Sequence, residues 1–254
     1  MIDSHCHIDC IENPESAIEE SIAKGMRAIV TSALNIEEAE KVFLLKKRFP
    51  NTLYVCLGVH PMEIDVYTDD YISFIKTNRK NIVAVGEIGL DGMKATHNYE
   101  KTKEVFSEMI DVSIGLKLPI VVHSRDGKIK AINDAIKILS ERNAKNVMLH
   151  CFSGNENNLK DALDRGYYIS YATNICWTKK HPQLAKQTPL EQMLLETDAP
   201  WLDPDSSVDN IKLNNRPWKI AKSAEVIASV KNVPKEDVLK ITEANARKLF
   251  NIRL

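Results

Sequence analysis

Short apolar runs rich in β-branched residues recur along the chain, at Ile2–His5, Arg27–Ser32, Leu53–Gly58, Ile82–Glu87, Pro119–His123, Asn146–Cys151, Tyr167–Tyr171 and Met193–Thr197. Most are apolar throughout instead of alternating with polar residues, the pattern of strands covered on both faces. Helical patterns lie between them. Asn13-Pro14 reads as an N-cap followed by proline at the first helical position. Asn35 with Glu38 three residues on resembles a capping box. Val105, Met109 and Val112 share one helical face, and Ile129, Ile132, Ile136 and Leu139 share another. Two further helices are expected at Ile220–Val230 and Lys235–Phe250.

Strands alternating with helices predict parallel βα units. Right-handed crossovers close eight such units into a (β/α)8 TIM-type barrel. The alternative, an open doubly wound sheet, carries a Gly-x-Gly-x-x-Gly turn after its first strand, and this chain has none there. The length of 254 residues suits one such barrel, with no repeat, low-complexity stretch or Gly/Ser linker to mark a boundary. Residues 1–254 are therefore expected to form a single barrel domain.

Charge narrows the partners. Lys plus Arg is 34 and Asp plus Glu is 35, a formal net charge of −1. That balance argues against gripping nucleic acid through a global basic field. A local site is still open, particularly one whose positive charge comes from metal ions. No run approaches the roughly 18 apolar residues of a membrane span, so no membrane partner is expected. The start, Met-Ile-Asp-Ser-His, shows no signal-peptide pattern. Five scattered cysteines suit reduced thiols, and together these features predict a cytoplasmic protein.

Chemistry concentrates at the strand ends. Of seven histidines, His5 and His7 close strand one, His60 follows strand three, His123 ends strand five and His150 ends strand six. Glu87 ends strand four and Asp198 ends strand eight. In a barrel all these ends open on one mouth, where active sites are built. In an extended strand, residues i and i+2 share a face. His5 and His7 can therefore reach one metal ion while Cys6 points away as a buried small apolar residue. Four of these imidazoles and the two carboxylates already exceed what one tetrahedral ion needs. They suit a two-metal site with a bridging carboxylate that activates water for hydrolysis. Mixed nitrogen and oxygen ligands favour Zn, Mn, Co, Ni or Fe over a purely Mg site.

At these residues the chain resembles the TatD family of metal-dependent deoxyribonucleases, within the amidohydrolase-like barrel hydrolases. The matching stretches are Ile2-Asp-Ser-His-Cys-His7, Gly58-Val-His-Pro61, Gly86-Glu-Ile-Gly-Leu-Asp91, Pro119-Ile-Val-Val-His-Ser-Arg-Asp126, His150-Cys-Phe-Ser-Gly154 and Glu196-Thr-Asp-Ala-Pro-Trp-Leu202. The likeness continues to Asn245-Ala-Arg-Lys-Leu-Phe250. The resemblance implies a Mg/Mn/Zn-type nuclease with two divalent ions, acting on DNA single strands from an end. It implies that His5, His7 and Asp198 hold one ion, His123 and His150 the other, and Glu87 both. Asp198 would also orient or deprotonate the attacking water. His60 would sit near the substrate phosphate or in the supporting shell. Arg125 would clamp a phosphate or form a structural salt bridge. Trp201 would stack on a base or pack under the mouth. Asn214-Asn-Arg-Pro217 matches a family loop that orders the last βα connection, and Asn245 is expected to hydrogen-bond backbone inside.

Three departures bear on substrate preference. Gly92 and Met93 stand where the family usually has aromatic residues, Lys103 and Met109 where glutamines are frequent, and Ala172-Thr173 near a usual glycine. The rival readings are a barrel hydrolase of a small ester, lactone, cyclic amide or phosphotriester, and an aminoacyl-ester hydrolase acting on tRNA. Barrel hydrolases of small molecules often bridge their metals with a carbamylated lysine, whereas Glu87 takes that place here. A non-catalytic binding protein on a degenerate barrel is a third rival. It would leave six buried ionisable groups unused at high cost.

Overall fold

Eight parallel β-strands form one sheet in strict sequence order: β1 (Ile2–Cys6), β2 (Ala28–Ala33), β3 (Leu53–Leu57), β4 (Ile82–Asp91), β5 (Ile120–Arg125), β6 (Val147–Leu149), β7 (Tyr168–Tyr171) and β8 (Met193–Leu195). The coordinates are a computed structural model describing residues 1–65, 67–94 and 96–254. The sheet curls until its first and last strands meet. Asp198 N donates to His5 O (3.0 Å) and His7 N donates to Ala199 O (2.8 Å), joining β1 to the segment after β8. This is the expected (β/α)8 barrel.

The helices are α1 (Pro14–Ala23), α2 (Ile36–Arg48), α3 (Asp69–Thr77), α4 (Tyr99–Leu116), α5 (Ala131–Glu141), α6 (Glu156–Asp164), α7 (Lys180–Gln187), α8 (Ile220–Lys231) and α9 (Lys235–Phe250). Asn13 caps α1 by accepting from Ser16 N, and Asn35 caps α2 by accepting from Glu38 N, as their sequences predict. Helices α3 and α6 bury three residues each, as α1 and α2 do, but lack the Asn-Pro pair or the Asn with Glu three residues on that marks those two in the sequence. The apolar outer faces of the strands meet the helices through residues such as Ile29, Val55, Val85, Phe106, Met109 and Ile136. None of the described helices is long and apolar enough to cross a membrane.

A separate apolar layer fills the barrel floor. Ile2, Val30, Cys56, Val121, Met148 and Leu194 point inward there. Ala246, Leu249 and Phe250 of α9 close the floor from below. Asn245 fastens α9 in place, its amide donating to Leu190 O (2.7 Å) and Met193 O (2.8 Å). The candidate site residues lie at the opposite end, at the strand C-termini.

Strand β4 runs four residues further than its apolar pattern predicts, to Asp91. The extension passes through Gly89, whose φ is +144°. A Cβ there would lie 1.9 Å from His123 O. Glycine thus lets β4 press against β5 where the candidate ligands sit, and Gly89 and Asp91 pair with His123 and Arg125 respectively.

Candidate metal centre

The local fold of each strand end aims its side chain at the barrel axis. Between Asp3 and Cys6, β1 spends three residues against two of β2, a bulge that re-aims the strand. His5 and His7 turn into the mouth with their Nε2 atoms 3.2 Å apart. Cys6 is buried in the outer core, as period-2 alternation requires.

Glu87 stands at the centre, and its two oxygens face different partners. Oε2 lies 3.4 Å from both His5 Nε2 and His7 Nε2. Oε1 lies 2.8 Å from His123 Nδ1, 3.1 Å from His150 Nε2 and 3.4 Å from His60 Nε2. Asp198 Oδ1 completes the first side, 3.5 Å from His5 Nε2 and 3.6 Å from His7 Nε2. Burial raises the Glu87 carboxyl, but His150, His60 and His5 around it hold it well below the usual carboxylate range. Asp198 is likewise lowered against burial, chiefly by His5. Both are therefore ionised acceptors.

Three overlapping groups bring metal-ligating atoms within 4.8 Å of one another: His5/His7/Glu87, His5/His150/Asp198 and His60/Glu87/His123. His150 thus reaches the His5 side as well as Glu87, and their rings lie 4.1 Å apart. A set of nitrogens and carboxylate oxygens facing inward at this spacing fits divalent metal.

Hydrogen bonds on the far ring nitrogens distinguish His150 and His123 from His60. Glu196 Oε1 lies 2.9 Å from His150 Nδ1 and Asp91 Oδ2 lies 3.0 Å from His123 Nε2. A carboxylate on one nitrogen keeps the proton there and leaves the other nitrogen's lone pair facing the centre. Ser32 Oγ can serve His5 Nδ1 in the same way, at 3.4 Å. His60 is the reverse case. Its Nδ1 accepts from Met62 N at 3.2 Å, so the neutral ring carries its proton on Nε2, toward Glu87. Burial keeps that ring neutral, lowering its pKa despite Glu87. His60 sits inside the cluster as a hydrogen-bond donor.

Arg125 reaches the mouth with its side chain 34% exposed, and its Nε and one Nη donate to Asp91 Oδ2 at 2.8 and 2.5 Å. Trp201 is 38% exposed. Its ring meets His7 edge-on at 5.0 Å, so it stands on the rim and does not pack beneath it. Asn215 is fully buried, and its amide donates to Thr173 Oγ1, Thr197 O and Trp201 O at 2.7–2.8 Å, tying down the connection after β8. Of the departing residues, Met93 is exposed, Met109 is buried and Lys103 pairs with Glu100.

Asp3, Asp91 and Glu196 were not singled out in the sequence. All three are wholly buried carboxylates inside the quoted motifs. Only Glu196 shows as an acidic residue in an apolar run: Asp3 sits beside Ser4 and His5, and Asp91 lies four residues beyond the run that predicts β4.

The TatD related DNase family model matches residues 2–251. Among curated proteins, the chain is 31% identical to the human deoxyribonuclease TATDN3, over 98% of this chain and 94% of that one. It is 30% identical to an uncharacterized metal-dependent hydrolase of Methanocaldococcus jannaschii, over 100% of this chain and 98% of that one. Among solved structures, the TatD homolog YJJV of Escherichia coli superposes with a TM-score of 0.90 at 25% identity, covering 100% of this chain and 98% of that one. A full-length family match and a mouth built of metal-ligating side chains lead to one conclusion: the chain belongs to the TatD related DNase family and is a metal-dependent hydrolase of ester bonds.

Proposed function

We propose that the protein is a deoxyribonuclease that hydrolyses phosphodiester bonds of single-stranded DNA from an end, using two divalent ions. The observation carrying this reading is the division of Glu87, one oxygen toward His5 and His7, the other toward His123 and His150. A carboxylate that faces two imidazole sets is the natural bridge between two ions. His5, His7 and Asp198 would hold one and His123 and His150 the other. When bound, the ions supply the Lewis acidity that activates water and neutralises charge on the phosphate.

The chain's own residues do the rest. Asp198 is the more exposed of the two central carboxylates, 17% against 3% for Glu87, so it can orient the attacking water and take its proton. His60 presents an N–H within the cluster and can place a phosphate oxygen. Arg125 offers its remaining guanidinium edge to the same group. Trp201 stands on the rim as a platform for a base. The near-zero net charge fits a site that draws its positive charge from ions. A reducing cytoplasm fits the free cysteines.

The test is cleavage of end-labelled single-stranded DNA by chelator-stripped and metal-reloaded protein, beside a panel of small esters, lactones and an aminoacyl-tRNA. Stepwise shortening from one end, dependent on added metal, is expected. Turnover of an ester with none of DNA would overturn the reading.

A further inference from the structure

We infer that Asp91 is a positioning residue that couples the metal centre to the phosphate-facing arginine, so that the two cannot be set independently. The arginine's part in this rests on the nuclease reading above; the metal centre's part does not.

Asp91 ends β4 and is wholly buried. A single oxygen, Oδ2, lies 3.0 Å from His123 Nε2 while accepting from Arg125 Nε (2.8 Å) and Arg125 Nη2 (2.5 Å). The other oxygen, Oδ1, accepts from Met93 N (2.8 Å) and Lys94 N (2.7 Å). One carboxylate thus gathers a candidate metal ligand, the mouth arginine and the first turn of the loop after β4.

Backbone register makes this arrangement rigid. Asp91 pairs directly with Arg125 across the β4–β5 ladder. His123 and Arg125 are two residues apart on β5, so they share a face. The carboxylate lies against that face from the neighbouring strand. His123 has two ring nitrogens with separate tasks. Nδ1 faces Glu87 at 2.8 Å and Nε2 faces Asp91. The bond to Asp91 sets both the ring's tautomer and its tilt, and hence where the Nδ1 lone pair points. The same oxygen anchors one edge of the planar guanidinium, which fixes the direction of the edge left for substrate.

An ordinary structural ion pair would hold Arg125 without touching a ligand histidine. Sharing one oxygen means that loss of the carboxylate disturbs both limbs, while loss of the guanidinium disturbs only one.

The experiment compares Asp91→Ala, Asp91→Asn, Arg125→Ala and the double variant Asp91→Ala/Arg125→Ala. Mn²⁺ affinity of the chelator-stripped proteins is measured by calorimetry. The values of kcat and KM are measured on a single-stranded oligonucleotide, and thermal melts establish folding. Asp91→Ala should lose about 10–100-fold in metal affinity, as removal of an outer partner of a ligating histidine does. It should also raise KM as far as Arg125→Ala does. Arg125→Ala should raise KM with metal affinity unchanged, and the double variant should have the KM of the single variants. Asp91→Asn keeps an acceptor but not the charge, and should be intermediate on both readouts.

Folded Asp91 variants with wild-type Mn²⁺ affinity would overturn the inference. So would KM effects that multiply in the double variant. If Asp91→Ala does not fold, Asp91→Asn decides, and wild-type values on both readouts overturn the proposal. Failure of the wild-type protein to cut the oligonucleotide would count against the nuclease reading, and Mn²⁺ affinity would then judge the Asp91–His123 link alone.

Discussion

Asp3 and Thr197, 194 positions apart, are joined by two hydrogen bonds on one buried carboxyl group: Thr197 N lies 2.9 Å from Asp3 Oδ1, and Thr197 Oγ1 lies 2.5 Å from Asp3 Oδ2. The pair laces β1 to the segment after β8 immediately below His5 and Asp198. Burial pushes the Asp3 carboxyl well above its usual range against these hydrogen bonds. A neutral amide should therefore replace it better than a methyl group does. Asp3→Ala strips a buried backbone N–H of its acceptor and should cost about 1–3 kcal/mol. Asp3→Asn should cost less. Urea unfolding of the two variants checks the order, and equal losses would count against it.

Gly89→Ala should be the most damaging single-methyl change at the mouth. The added Cβ would lie 1.9 Å from His123 O at a φ of +144°. The ladder between β4 and β5 would have to part there. We expect loss of metal affinity together with a lowered Tm, because the same displacement carries His123 away from Glu87. A variant that binds Mn²⁺ normally would contradict the close approach of these strands.

Glu87→Ala and His60→Ala should differ in kind. Removing Glu87 takes away the carboxylate whose two oxygens face the two imidazole sets, so both ions should bind weakly and added metal should not fully restore turnover. Removing His60 takes away a donor, so the ions should stay while turnover falls by a factor of roughly 10²–10³. Metal content by elemental analysis, measured beside turnover, separates the two. Two retained ions in Glu87→Ala would require a different bridge.

Stripping the metal should give the protein an unusual sensitivity to base. Burial and His150 push the His5 pKa down, but Glu87 and Asp198 prevail and raise it to about 9. A pKa raised on folding stabilises fully below the unfolded value near 6.5. That contribution is lost as pH rises through about 9. Chelator-treated protein should thus show a Tm falling over this window, while the metal-loaded protein should not, since a divalent ion replaces the proton. Metal uptake should release protons, and affinity should weaken on acidification. A flat Tm for the stripped protein from pH 6.5 to 9 would refute the protonated His5.

His181 should govern the acid side. It is buried beside Thr178, and burial, aided by Lys180, pushes its pKa down to about 4. A histidine pKa lowered on folding gives stability that is present above about 6.5 and lost as pH falls through about 4. The shift corresponds to about 3 kcal/mol at most. His181→Gln should flatten this slope in urea midpoints taken between pH 7 and pH 4 without changing metal content.

Much of the architecture is legible along the chain because parallel strands covered on both faces must be apolar throughout, and no loop pattern imitates that. The runs at Leu53–Gly58 and Pro119–His123 become β3 and β5 with shifts of only a residue or two. Helices α3 and α6 were not singled out, since neither opens with the Asn-Pro pair or the Asn with Glu three residues on that marks α1 and α2. The extension of β4 was hidden by Gly89, which reads as a breaker until its contact with His123 is known.

Sequence alone determined which chemistry gathers at the mouth, because strand ends in a closed barrel converge whatever their separation along the chain. His5, His7, Glu87, His123, His150 and Asp198 were all identifiable by position at those ends. Tertiary structure decided how each one is held there. A histidine's role depends on which nitrogen carries its proton, and that is set by partners distant in sequence: Glu196 for His150 and Asp91 for His123. For His60 it is set by the Met62 amide, through a turn whose geometry only the folded chain supplies. Arg125 likewise could not be separated from a structural ion pair by its place in a motif. Its guanidinium and the candidate ligand His123 converge on the same oxygen of Asp91 only because β4 and β5 pair in one particular register.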